Sequence, residues 1–342
     1  MRIILYIWMF LGVLLLRAQE TQFSQFFASS AFLNPGFVGL QGSASLAVNY
    51  KSGFGNETNA LKQLTQATFI QPIQKVTSFA TKSAGVGLTF MQERRGYEGI
   101  YQTTNVLLSC SYVLGLDYEG KRFLSFGMQG GVIQNKLNFS DLKFGSQYNP
   151  YFGYDDTLPS EVLNRDSRIV PTFNAGVVLH ASDHHNPLLS QNSFLFGLSI
   201  HNINRPDNSF IGEARKPMQV KAVATARRKI SSNIFIHPSG YILAYQGSYQ
   251  LNGGLYLSRY LDAQLSTLVQ LGAWYRYNDS FILLMGVKHK QFKTGVSVDF
   301  NSTLLSDNEV LATQMSRSTF EVSFTYDFAF KNILVDVTNP LF

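Results

Sequence analysis

The 342-residue chain is short of charge, of cysteine and of long apolar runs, and each shortage removes a class of protein. Charged residues make up 15% of it, against roughly 25% in soluble domains. Cys110 is the only cysteine; it excludes a disulfide framework and a Cys-based metal site, and lies too far along to carry an N-terminal lipid anchor. After the first twenty residues no apolar stretch reaches the roughly 20 that a spanning helix needs, and mean hydropathy is −0.01. A helical membrane protein is therefore excluded. The formal charge of +6 is spread along the chain, the densest run being Arg227-Arg228-Lys229, which reads as a solvated strand end and not as a nucleic-acid site.

What is plentiful is aromatic and small: 28 Phe, 17 Tyr and 27 Gly. Sparse charge with aromatics and glycine is the composition of a transmembrane β-barrel, which puts aromatic girdles on lipid and Ser, Thr, Asn, Gln and Gly in its lumen. Thr319–Phe330 shows the pattern most clearly. Phe320, Val322, Phe324, Tyr326 and Phe328 share one parity, and Glu321, Ser323, Thr325, Asp327 and Ala329 the other. A strand sends these sets to opposite faces. The barrel reading puts the aromatic set on lipid and Glu321 and Asp327 in the lumen. It pairs this final strand with Ser43–Tyr50, whose Ala44, Leu46, Val48 and Tyr50 form a matching apolar face. On that reading Val322→Arg costs far more than Ser323→Arg.

Arg2 followed by the apolar Ile3–Leu16 and by Ala18 predicts a secretory signal peptide over 1–18. The protein is then exported. An N-terminal extension follows over 19–42; it is too aromatic for a disordered leader and carries an Asn34-Pro35-Gly36 turn. It is expected to pack on, or into, whatever follows.

Candidate strands recur near 43–50, 63–71, 84–92, 101–116, 122–135, 169–181, 193–202, 217–229, 232–245, 248–257, 263–277, 280–289, 291–300 and 319–330. They add up to about 14, an even number as single-chain bacterial barrels require. The fold class is thus all-β: a transmembrane outer-membrane antiparallel β-barrel over 43–330, with a C-terminal tail over 331–342. Alternation is clean in most strands and poor in 101–116 and 232–245. Connections sort by parity. One set (51–62, 92–100, 136–168, 203–216, Gln246-Gly247, Tyr277–Asp279, 301–318) is mostly long. The other is mostly short, with Pro72–Ser83 and Ser182–Asn192 as exceptions. Long outer loops and short periplasmic turns are the barrel habit.

The loop 136–168 is aromatic and acidic, with Phe139, Phe144, Tyr148, Tyr151, Tyr154, Asp155 and Asp156 as candidate partner-binding residues. It forms either a plug over the mouth or a docking surface. Parity puts Glu321, Asp327, Lys293, Asp299 and Arg276 in the lumen, with Lys221 and Arg227. Mixed sign favours cross-strand pairing. His184-His185 reads as a solvated turn, because adjacent residues diverge and no third ligand is suggested; His180 and His201 would meet across the 181–193 hairpin. Gly85-Val86-Gly87 and Gly127–Gly131 are close-packing positions and not phosphate cradles. No catalytic motif, metal site or cofactor site is expected, so the chain is not read as an enzyme.

Several stretches resemble one family. Gln22-Phe23-Ser24-Gln25-Phe26, Leu33-Asn34-Pro35-Gly36, Leu124–Gly131, Leu142–Pro150, Phe196–Pro206 and Gly272–Tyr277 follow, in order and spacing, the pattern of the PorP/SprF proteins of the Bacteroidetes type IX secretion system. Ala28-Ser29-Ser30-Ala31 departs from it, since relatives more often carry an Asn-Pro pair there. The resemblance implies an outer-membrane location and a role in type IX secretion or gliding motility. It further implies help in exporting a secreted cargo, such as an adhesin, or in holding it at the cell surface by its C-terminal domain. Other type IX components in the periplasm or outer membrane, and outer-membrane lipid, are the further partners it implies. The alternative is a diffusion channel or a transporter of hydrophobic compounds.

Overall fold

In the computed structural model the described residues are 22–328, apart from 54–59, 78–79, 98, 139–144, 150, 152, 156, 158–165, 185–189, 211–213, 263–265 and 302–317. The leader 1–18 and the tail 331–342 lie outside them. The strands are β1 Ser45–Gly53, β2 Ala60–Thr77, β3 Ala80–Tyr97, β4 Tyr101–Gly115, β5 Arg122–Leu137, β6 Tyr148–Asn149 and β7 Gly153–Tyr154. There follow β8 Ser167–Ser182, β9 Asn192–His201, β10 Gln219–Ser231, β11 Ile234–Tyr245, β12 Ser248–Tyr260, β13 Thr267–Arg276, β14 Ser280–His289, β15 Phe292–Asn301 and β16 Thr319–Asp327.

All but β6 and β7 form one closed antiparallel barrel, each strand pairing with its neighbour in sequence and β5 passing directly to β8. The ring closes where β1 meets β16, from Ser45 opposite Asp327 to Gly53 opposite Thr319. These are the fourteen strands that the alternation predicts. Closure leaves no backbone edge unpaired, the condition for a sheet to cross lipid.

The faces follow parity. Val322 and Phe324 are exposed on the outer wall, beside Leu46 and Val48 of β1, whereas Glu321 and Ser323 are buried inside. Val86, Leu88 and Phe90 of β3 and Phe281, Leu283 and Met285 of β14 continue the apolar outer belt.

Connections shorten where strands run on, and of the expected 92–100 only 98–100 separates β3 from β4. Pro72–Ser83 is not a loop: β2 and β3 stay paired to Thr77 opposite Ala80, with Pro72 opposite Gly85. Proline removes a single donor, and the backbone ladder continues past it. The short-turn face thereby loses one of its two exceptions.

The lumen is filled. Residues 23–40 lie inside the barrel, all buried except the partly exposed Phe32, as a 3-10 turn Phe26–Ser29, a one-turn α-helix Ser30–Leu33 and a 3-10 stretch Pro35–Leu40. The largest apolar cluster joins this segment to the wall, with Phe26, Phe27, Leu33, Phe37 and Leu40 against Val178, Leu195, Tyr241, Leu243, Tyr256 and Trp274. Of the two expected placements of the N-terminal segment, on or into the barrel, it takes the second.

Candidate functional site: a plugged lumen and the chamber above it

The plug is seated first by shape. A Cβ on Gly127 would lie 2.2 Å from the backbone nitrogen of Gly36, and one on Gly85 2.5 Å from the carbonyl oxygen of Val38. The wall is bare where the plug backbone passes. Around these contacts, wall side chains donate to plug carbonyls. Ser125 Oγ donates to Gly36 O at 2.6 Å, Ser83 Oγ to Gly39 O at 3.0 Å and Ser199 Oγ to Leu33 O at 2.8 Å. Asn34 works in the opposite direction. Its Oδ1 caps the Gly36 N–H at 2.8 Å, and its Nδ2 donates to Val177 O on β8 and Leu198 O on β9, both at 3.0 Å. A short turn inside a barrel must find partners for its backbone groups, and this set supplies them without a net charge.

The other end is seated by charge. Glu321 accepts the backbone N–H of Ser24 at 2.6 Å and that of Gln25 at 3.0 Å, one on each carboxylate oxygen. Lys51 Nζ donates to Asp299 Oδ2 at 2.8 Å, to Ser24 Oγ at 2.6 Å and to Gln22 O at 3.0 Å. Arg276 reaches Asp279 at 2.8 Å, Ser24 Oγ at 3.3 Å and Asp299 at 3.5 Å. Gln25 completes the set, accepting from Ser323 Oγ at 2.6 Å. Strands β1, β13, β15 and β16 thus hold residues 22–25 in a buried network of two cations and two carboxylates, with the half-buried Asp279 of the following turn at its edge.

Above the plug, between it and the long-loop face, lies a chamber of about 260 Å³. Phe23, Phe26 and Phe32 form its floor, and the loop-side ends of β2–β5 and β8–β11 its sides. Residues 207–210 of the β9–β10 connection fold over one side. Asn135 Nδ2 donates to Asn208 O at 3.2 Å, Arg168 pairs with Asp207 at 2.8 Å, and the Phe210 ring meets Tyr101 edge-on at 6.4 Å. The Ser209 hydroxyl and the Ser209 and Ala214 N–H groups, with Arg168, hold the Asp207 carboxyl down at about 2.

Against known proteins, the chain matches the family described as type IX secretion system membrane protein PorP/SprF over residues 15–326. The chain belongs to the PorP/SprF family. This PorP/SprF barrel is therefore a type IX secretion protein of the outer membrane. Among curated proteins no sequence matches it significantly. Similar solved structures include a FadL homologue of Pseudomonas aeruginosa (12% identity, 88% of this chain and 94% of that one, TM-score 0.45). Another is the Ralstonia pickettii toluene transporter TbuX (9% identity, 88% and 94%, TM-score 0.48). At these scores neither likeness carries functional weight.

Five of the expected lumen charges fall in two groups, while Lys221 lies over the Phe32 ring and Arg227 over the Phe235 ring. Glu321, Asp299 and Arg276 belong to the network around Ser24, while Lys293 pairs with Asp327 at 2.8 Å near the short-turn end. Parity located them; Lys51 and the plug residues that they hold were not foreseen. The expected loop residues divide otherwise. Tyr148 and Tyr154 lie on the β6–β7 hairpin with their rings 5.7 Å apart, and Tyr151 and Asp155 sit beside them; the three tyrosines are exposed and Asp155 is half-buried. Phe139, Phe144 and Asp156 lie outside the described residues. No described residue of this loop lines the chamber, so what plugs the barrel is its N-terminal segment.

One histidine expectation changes as well. His180 and His201 both face inward but do not meet, because His180 stands opposite Leu195, six positions before His201 on β9. His180 stacks on Phe123. His201 Nε2 lies 3.1 Å from Leu33 O and 3.1 Å from Ser199 Oγ, which makes this Ser–His pair part of the plug's seat.

Proposed function

We propose that this PorP/SprF barrel assists the export of a secreted type IX cargo and attaches it to the cell surface, docking the cargo's C-terminal domain on the long-loop face. Adhesins of gliding motility are the cargo class in view, and no bond is made or broken. The observation that carries the reading is the plug. A lumen packed with Phe26, Phe27, Phe37 and Trp274 offers a partner its upper face and not a passage. That face has a recess with an aromatic floor, and the β5–β8 connection carries the exposed Tyr148, Tyr151 and Tyr154. Exposed aromatics and a pocket are the usual ingredients of a protein-binding surface.

Deletion of 139–156, with barrel assembly verified by heat-modifiable migration, is expected to release the cargo into the medium. Unchanged retention at the cell surface would sink the proposal.

A further inference from the structure

The outer wall changes character around its circumference. Strands of a closed sheet tilt, so residues paired across strands do not share a height. A register row that starts at Arg228, near the short-turn end of β10, passes Leu257 on β12 and Val322 on β16 and reaches Ile169 near the long-loop end of β8. The row climbs by about one residue per strand, and a line of constant height drops by the same step relative to it. At the height of Arg228 the wall carries Arg259 on β12 and His289 on β14, then Phe328 past β16, Ile73 on β2 and Leu114 on β4, all exposed. One sector is basic and the opposite side is apolar.

Arg228 and Arg259 flank β11, with Arg228 opposite Ile236 and Arg259 opposite Ile234. They stand two strands apart, about 10 Å. Exposed Leu257 and Leu271 occupy the wall above them. Exposed Ile230 follows Arg228 towards the turn, and exposed Leu261 follows Arg259 just past the end of β12. Arg228 thus lies within the apolar wall and not at the solvated strand end that the Arg227–Lys229 run suggests. Among the described residues neither guanidinium forms an ion pair. The nearby carboxylates are taken up by their own turns: Asp183 accepts from Ser190, Gln191 and Asn192, and Asp262 from Ser266 and Thr267. The adjoining segments 185–189 and 263–265 contain no acidic residue.

A cation on a lipid-facing wall, with apolar residues on both sides of it, is costly unless it meets an anion. Arginine is long enough for both guanidinium groups to converge over Ile234 and Ile236. A guanidinium grips a phosphate with two parallel hydrogen bonds. We infer that the β10–β12 sector binds the headgroup phosphate of an anionic phospholipid in the leaflet at the short-turn end. Arg228 and Arg259 hold the phosphate, and the acyl chains lie along Leu257 and Leu271.

The test is native mass spectrometry of the purified full-length barrel in detergent, titrated with phosphatidylglycerol and with phosphatidylethanolamine of the same acyl chains. One phosphatidylglycerol is expected to be retained at about tenfold lower concentration than phosphatidylethanolamine. Arg228→Gln/Arg259→Gln, with folding checked by heat-modifiable migration, is expected to abolish that preference. Each single change is expected to weaken it, and Leu114→Gln on the opposite wall to leave it intact. Equal retention of the two lipids by the unaltered barrel overturns the inference, as does a preference that survives the double change. Displacement of phosphatidylglycerol by inorganic phosphate would overturn it in favour of a free-anion site.

Discussion

Residues 22–25 and residues 33–40 belong to one buried segment, yet different chemistry holds them. The later part is fitted by shape and by neutral hydrogen bonds: Asn34 bridges β8 and β9, and Gly127 leaves room for the backbone at Gly36. The earlier part hangs from Lys51, Arg276, Asp299 and Glu321. Neutral bonds of this kind contribute about 1 kcal/mol each and act nearly independently. Buried charges behave as a set. Their desolvation is offset only while every partner is present, and removing one leaves the others uncompensated. The Asn34–Gly39 part is therefore the permanent anchor, and the Ser24–Gln25 part is the one that a single change can unseat.

The largest expected effect lies in the charged part. Asp299→Leu takes from Lys51 its carboxylate at 2.8 Å, leaving Glu321 at 4.0 Å, and leaves Arg276 only Asp279; it is expected to destabilise the barrel by about 3–5 kcal/mol in urea unfolding from bilayers. Adding Lys51→Met should recover part of the loss. If Asp299→Leu costs no more than a neutral-anchor variant, the contrast between the two parts is broken.

Lipid gives the next reference point. Val322 lies near the middle of the nine-residue β16, and Val322→Arg should destabilise by about 2–4 kcal/mol. The alternation alone made Ser323→Arg a cheap change, on the premise of a wet lumen. The premise fails, because Ser323 is buried and bonded to Gln25. Ser323→Arg is now expected to expose the plug to added protease, which Val322→Arg should not do.

Gly127→Val drives a side chain into the neutral anchor and should cost about 1–3 kcal/mol, with little dependence on salt. The smallest effect belongs to the loop over the chamber. Asp207 is held at about 2 against an ordinary 3.8, a depressed carboxyl, so its contribution to loop closure is complete above about pH 4. It is lost as pH falls towards 2. Asp207→Asn should remove that pH dependence in hydrogen exchange of 207–210 and leave the barrel's unfolding unchanged.

How much of this was legible in the chain depends on what each residue faces. Lipid is a uniform environment, so Phe281, Leu283 and Met285 announce their face by parity alone. The inner face meets the plug, whose own chemistry varies along its length. In β4 and β11, inward positions such as Leu107, Val113, Tyr241 and Leu243 are apolar because part of the plug is apolar, and the alternation blurs in those two strands for that reason. The charge network was half visible. Parity turns Glu321 and Asp299 inward, but nothing local ties Asp299 to Ser24, 275 residues away. The chamber was invisible, since its lining is gathered from the ends of eight strands.

The claim that the barrel is sealed by its own N-terminal segment is tested most directly by single-channel recording of the purified full-length protein in a planar bilayer. The intact barrel is expected to be silent, with steady current appearing only when residues 22–40 are deleted. Steady open current from the intact protein would contradict the sealed lumen and return the protein to the class of diffusion channels.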